Sequence, residues 1–77
     1  MSQDRISQEK RQEIATMFRE VYASLDTKGY RAVNQLMGYI FTEDPTYITT
    51  YENARQKISA YDHEELLQCV LEVYLGL

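Results

Sequence analysis

Cysteine, histidine and proline each occur once in this 77-residue chain, and glycine only three times. The single cysteine, Cys69, excludes an internal disulfide framework and fits a reducing compartment. One histidine and one cysteine cannot supply the convergent ligands of a metal centre, and on one helix His63 and Cys69 would stand about 120° apart. His63 is expected as an exposed residue at a helix end and Cys69 as a half-buried small apolar residue. Nucleophilic catalysis at Cys69 would need a base beside it, and the sequence points to none. A glycine-rich phosphate loop is excluded as well, because a helical pattern separates Gly29 from Gly38. No run approaches the roughly 18 apolar residues of a membrane span, and the opening MSQDRISQEKRQEI is polar from its first residue. No membrane insertion and a cytoplasmic location are therefore expected. Basic residues are few, 8 against 12 acidic for a net charge of -4, and they are scattered. The stripe of positive charge that marks a nucleic-acid binder is missing. The neighbours Glu64 and Glu65 face different directions and suit the first turn of a helix, where the dipole favours acidic groups. These absences point to a protein without enzymatic activity, metal or cofactor.

Size sets the next constraint. A domain of this length buries only about 60% of the surface that its unfolded chain exposes. With no disulfide or metal to staple it, the chain folds on helix packing alone or completes its core with a second copy. A homodimer is the expectation.

What the chain does have is helical periodicity. A polar tail over residues 1–7 is expected to be flexible, followed by a single helical domain over 8–77. Ile14, Met17, Phe18, Val21, Tyr22 and Leu25 recur at steps of three and four and predict an amphipathic helix over about 8–28, closed by Gly29 in a left-handed conformation. A second helix is predicted over 31–42, with Val33, Leu36, Met37, Ile40 and Phe41 on its core side and Asn34, Gln35 and Tyr39 outside that arc. Gly38 inside it costs roughly 1 kcal/mol against alanine, which implies that a backbone or a bulky ring comes close there. Asp44-Pro45 ends the segment in an extended turn. Thr49, with Glu52 three residues on, reads as a capping box for a third helix over 50–59. Asp62, Glu65 and the staple pair Tyr61 and Leu66 open a fourth helix over 62–75. Its apolar residues cover about 200° of the helical wheel, too wide for one face. That helix, through Leu67, Val70, Leu71 and Tyr74, is the expected dimer interface. The fold class is all-α, a small compact helical domain of about four helices.

The segment from Gly29 to Arg55, GYRAVNQLMGYIFTEDPTYITTYENAR, is the most distinctive. It holds two of the three glycines, the one proline and four of the seven tyrosines. Gly29, Tyr30, Asn34, Gln35, Gly38, Tyr39, Asp44, Pro45, Tyr47, Ile48, Thr49, Asn53, Ala54 and Arg55 stand at a fixed internal spacing that resembles the core of the IreB family, small regulatory phosphoproteins of low-GC Gram-positive bacteria. The likeness runs from about Val21 to Leu75.

The resemblance implies a helical homodimer that acts without catalysis, as the substrate of a membrane-anchored Ser/Thr kinase that senses the cell envelope. It implies a further regulatory partner protein and a role in envelope stress or antibiotic tolerance. In that family phosphate falls on threonines near the N-terminus. This chain has no threonine in its first fifteen residues, and its hydroxyls there are Ser2 and Ser7. Ser7, at the start of the first helix, is the better placed of the two, since the dipole favours a phosphate there; an unmodified helix cap is the other reading. A second function class stays open: a module binding a small ligand or peptide on the tyrosine-rich surface over residues 39–55. Against it, the tyrosines can serve as wedges between short helices, and Asn34, Gln35, Asn53 and Arg55 can satisfy the backbone groups of a tight turn.

Overall fold

The computed structural model describes residues 6–77, and among these the fold is entirely helical. Four α-helices follow one another: α1 (Gln8–Thr27), α2 (Ala32–Thr42), α3 (Ala54–Ser59) and α4 (His63–Leu75). Two short 3-10 turns, Pro45–Tyr47 and Tyr51–Asn53, occupy the α2–α3 connection. At 20 residues α1 spans about 30 Å and sets the long dimension of a body measuring 39 × 21 × 21 Å.

The start of α1 is capped by Ser7, whose hydroxyl accepts the Lys10 N–H at 3.0 Å. Its end closes with Gly29 at φ +83°, and the Tyr30 N–H reaches back to the Leu25 carbonyl at 3.0 Å, the wrap that a left-handed residue after a helix allows. Ile14, Met17, Val21 and Leu25 of α1 are buried, and they meet Ala32 and Tyr39 of α2, Ile48, Ala54 and Ile58 around α3, and Leu66 and Cys69 of α4. This is one continuous core to which every helix contributes. Ile6 is buried in it too. Of the tail expected over 1–7, Ile6 and Ser7 thus belong to the folded body, and the remainder lies outside the described residues.

Three local expectations are corrected. The third helix begins at Ala54, not near Thr50, because Glu52 and Asn53 both take left-handed conformations, φ 54° and 63°, which no helix continues through. The capping box does not form: Thr49 Oγ1 accepts the Tyr51 N–H at 3.2 Å, and Glu52 turns instead to the buried Ser24, whose hydroxyl donates to its carboxylate at 2.8 Å. At α4, Asp62 sits at the N-cap position with extended backbone but makes no side-chain cap.

The second helix is rotated from the face its apolar pattern suggested. Tyr39 is only 6% exposed, whereas Val33, Met37 and Phe41 lie open to solvent, Phe41 at 91%. On the wheel this moves the inward face by about 90°. The reason lies outside the helix. The first 3-10 turn needs Gln35 and Gly38 facing it, and with that side fixed, Ala32, Leu36, Tyr39 and Ile40 become the residues nearest the core.

Candidate functional site

The motif segment folds as one connected unit in which α2 grips the first 3-10 turn. Gly38 makes this possible. A Cβ added there would stand 2.9 Å from Cγ of Tyr47 and closer still to two other ring atoms, so the tyrosine lies flat on bare helix backbone. Gln35 Nε2 donates to the Tyr47 carbonyl at 2.9 Å from the neighbouring turn of α2. Arg55 Nε donates to the carbonyl of the fully buried Ile48 at 2.9 Å from the α3 side. The two carbonyls that leave the 3-10 turn are thus both satisfied by motif side chains. Asp44 caps the turn: its Oδ1 accepts the Thr46 N–H at 3.0 Å and the Thr46 hydroxyl at 2.8 Å. Those two bonds hold its carboxyl below the usual carboxylate range. Thr42 closes the end of α2 by donating to the Gly38 carbonyl at 2.7 Å, while Glu43 takes the left-handed position, φ 62°.

Of the remaining motif residues, Ala54 is fully buried, Asn53 supplies a left-handed position before α3, and Tyr30 and Asn34 are exposed. Tyr39, expected to point outward, packs edge-on against His63 with ring centroids 5.8 Å apart. His63 is correspondingly not the exposed residue its position suggested. Its Nε2 lies 2.8 Å from the Ile40 carbonyl and its Nδ1 3.5 Å from a carboxylate oxygen of Glu43, so the start of α4 is pinned to the end of α2. Tyr51 lies beneath the ammonium group of Lys28, 5.1 Å from the ring centroid. The tyrosines of this region therefore serve several different neighbours and do not converge on one recess.

A second constellation joins the two ends of the chain. Arg11 on α1 grips Glu72 on α4 with two bonds, Nε to Oε1 at 2.9 Å and Nη2 to Oε2 at 3.0 Å, and its Nη1 donates to the Ile6 carbonyl. Gln68 adds a bond to Glu72 Oε2 at 2.9 Å. Arg11 first and Gln68 second hold the Glu72 carboxyl down at about 2. Beside this pair Cys69 is buried, and desolvation pushes its thiol up. No local signal could have revealed the pair in the sequence, since its members lie 61 residues apart.

The third feature is an apolar surface. The interface residues expected on α4 divide: Leu67 is half-buried, while Val70, Leu71 and Tyr74 are exposed, Tyr74 at 87%. Val70 and Phe18 line both of two neighbouring apolar grooves, one continuing along α4 to Val73 and Leu77, the other crossing to Val33, Met37 and Phe41 on α2. The α2 stripe, at steps of four residues, was visible in the sequence but assigned inward. Of the modification candidates, Ser7 is exposed and engaged as a cap, and Ser2 lies outside the described residues.

Among the described residues no group of three or more His, Cys, Asp or Glu side chains is placed to hold a metal ion, and no helix is long and apolar enough to cross a membrane. Fold and site together define a small all-helical protein whose distinctive side chains are committed to holding one turn against α2. The model of the IreB regulatory phosphoprotein family matches residues 2–76, nearly the whole chain and more than the motif segment alone, and the protein belongs to that family.

Proposed function

We propose that this protein is a dimeric regulatory phosphoprotein of the cytoplasm that works through protein contacts, downstream of a Ser/Thr kinase, in the response to envelope stress or in antibiotic tolerance. Family membership supports the regulatory role. The observation that carries the mechanism is the uncovered apolar surface shared by α2 and α4. Val33, Met37, Phe41, Val70 and Val73 are exposed around it, and Leu71 and Tyr74 are exposed further round α4, more large apolar side chains than a small monomer leaves open without use. A second copy is the occupant that fits, because a two-fold pairing sets these apolar side chains against their own equivalents. Leu67, Val70, Leu71 and Tyr74 form the α4 part of this interface, and Met37 and Phe41 extend it.

Sedimentation at micromolar concentration tests the assembly: a dimer is expected, and a stable folded monomer would overturn it. Incubation with a Ser/Thr kinase and ATP, followed by intact mass and site mapping, tests the input. One phosphate on Ser7 or Ser2 is expected; modification confined to the helical body, or none, would remove the kinase from the mechanism. The alternative, a ligand or peptide module over residues 39–55, is weakened by the burial of Tyr39 and by the seating of Tyr47 on Gly38.

A further inference from the structure

We infer that Arg11 is a relay, through which phosphorylation of Ser7 loosens the hold of α1 on α4. The inference rests on the phosphoprotein reading above and supplies its structural consequence. Ser7 is exposed, caps α1 and lies four residues before Arg11, whose backbone N–H donates to the Ser7 carbonyl at 3.0 Å. The guanidinium already reaches back past the first turn, since Nη1 donates to the carbonyl of Ile6, the residue joined to Ser7. Its other edge grips Glu72 in a two-bond clamp, and Gln68 is a further partner of that carboxylate. One cation thus links the backbone beside the modifiable hydroxyl to the last turn of the helix that carries Leu71, Val73 and Tyr74.

Phosphoryl transfer forms a bond from Ser7 Oγ to the γ-phosphorus of a nucleoside triphosphate as the β–γ bridging bond breaks. The diphosphate leaves, and the hydroxyl proton passes to the kinase's base. The product places about two negative charges and three acceptor oxygens next to Arg11. Guanidinium binds phosphate in the same forked geometry as carboxylate, so the new group competes with Glu72 for the same donors. It also repels the Glu72 carboxylate, which at neutral pH is fully ionised. Helix α1 itself is not weakened, because an anion at its first turn is favoured by the dipole. The change therefore falls on α4, and with it on the apolar face that α4 presents.

The test uses the full chain with phosphoserine installed at position 7 by synthesis, so that its outcome does not depend on whether any kinase modifies the protein. Amide hydrogen exchange is compared in four proteins: unmodified, phospho-Ser7, Glu72→Gln, and both together. Phosphorylation should speed exchange in α4 about tenfold or more, the equivalent of losing one charge-assisted hydrogen bond, while α1 and α3 keep their protection. Glu72→Gln should reproduce part of this, and adding phosphate to it should change α4 little further. The Arg11 Nε–H resonance, followed by NMR, should shift on phosphorylation. Unchanged or slower exchange in α4, a full effect persisting in Glu72→Gln, or loss of protection spread evenly over all helices would each overturn the relay.

Discussion

Replacing Gly38 by alanine should destabilise the protein, although alanine is the better helix former. In an open helical position the change would add about 1 kcal/mol of stability. Here the new Cβ would stand 2.5 Å from Tyr47 Cδ1, against the 3.5–4.0 Å at which carbons rest, so the ring must move by about 1–1.5 Å or leave. Overpacking of this kind costs about 1–3 kcal/mol. Tyr47 is already 38% exposed, which limits the penalty: expelling the ring entirely would uncover on the order of 100 Å², or at most about 2.5 kcal/mol. The net effect is a loss of about 1 kcal/mol. In a Tyr47→Ala background the obstacle is gone, and the same Gly38→Ala change should stabilise by about 1 kcal/mol. The two backgrounds thus differ by about 2 kcal/mol, a coupling well above the error of a double-mutant cycle. Urea unfolding followed by far-ultraviolet circular dichroism measures all four proteins, at one fixed concentration because self-association adds a mass-action term. Equal stabilisation in both backgrounds would refute the seating of Tyr47 on Gly38.

Other consequences are open to simpler measurements. Met37→Asp and Leu71→Asp place a charge on the apolar surface while leaving the continuous core intact, so each should give a folded monomer by sedimentation and circular dichroism. The Glu72 carboxyl, held at about 2 in the fold against an ordinary 4.5, contributes stability above pH 4.5 that is lost as pH falls towards 2, because there the unfolded chain binds the extra proton. Thermal melts should fall through that window, and Glu72→Gln should flatten the fall; an unchanged slope would contradict the clamp. Asn53→Gly relieves a left-handed residue at φ 63° and should raise stability by a few tenths of a kcal/mol up to about 1 in the same melts. Cys69, buried and with its thiol pushed up, should react with a thiol reagent only after denaturant is added.

Sequence alone determined the all-helical class and the family, as well as the start of α1 at Gln8, the stop at Gly29 and the need for glycine at position 38. These follow from local chemistry: apolar steps of three and four, a cap hydroxyl, and a residue without a Cβ where a ring must come close. Tertiary structure decided which way α2 faces. Periodicity ranks residues by polarity, but the rotation was set by the Tyr47 turn, which claims Gln35 and Gly38 and so carries Tyr39 inward and Phe41 out. It also decided where α3 begins, because the buried Ser24 draws Glu52 away from the cap that its spacing with Thr49 offered. His63 was misplaced because its partners, Ile40 on α2 and Glu43 just past its end, are 23 and 20 residues away. The clamp between Arg11 and Glu72 had no trace in the chain at all: two ordinary surface charges became one partly buried contact only when the fold laid the end of α4 beside the start of α1.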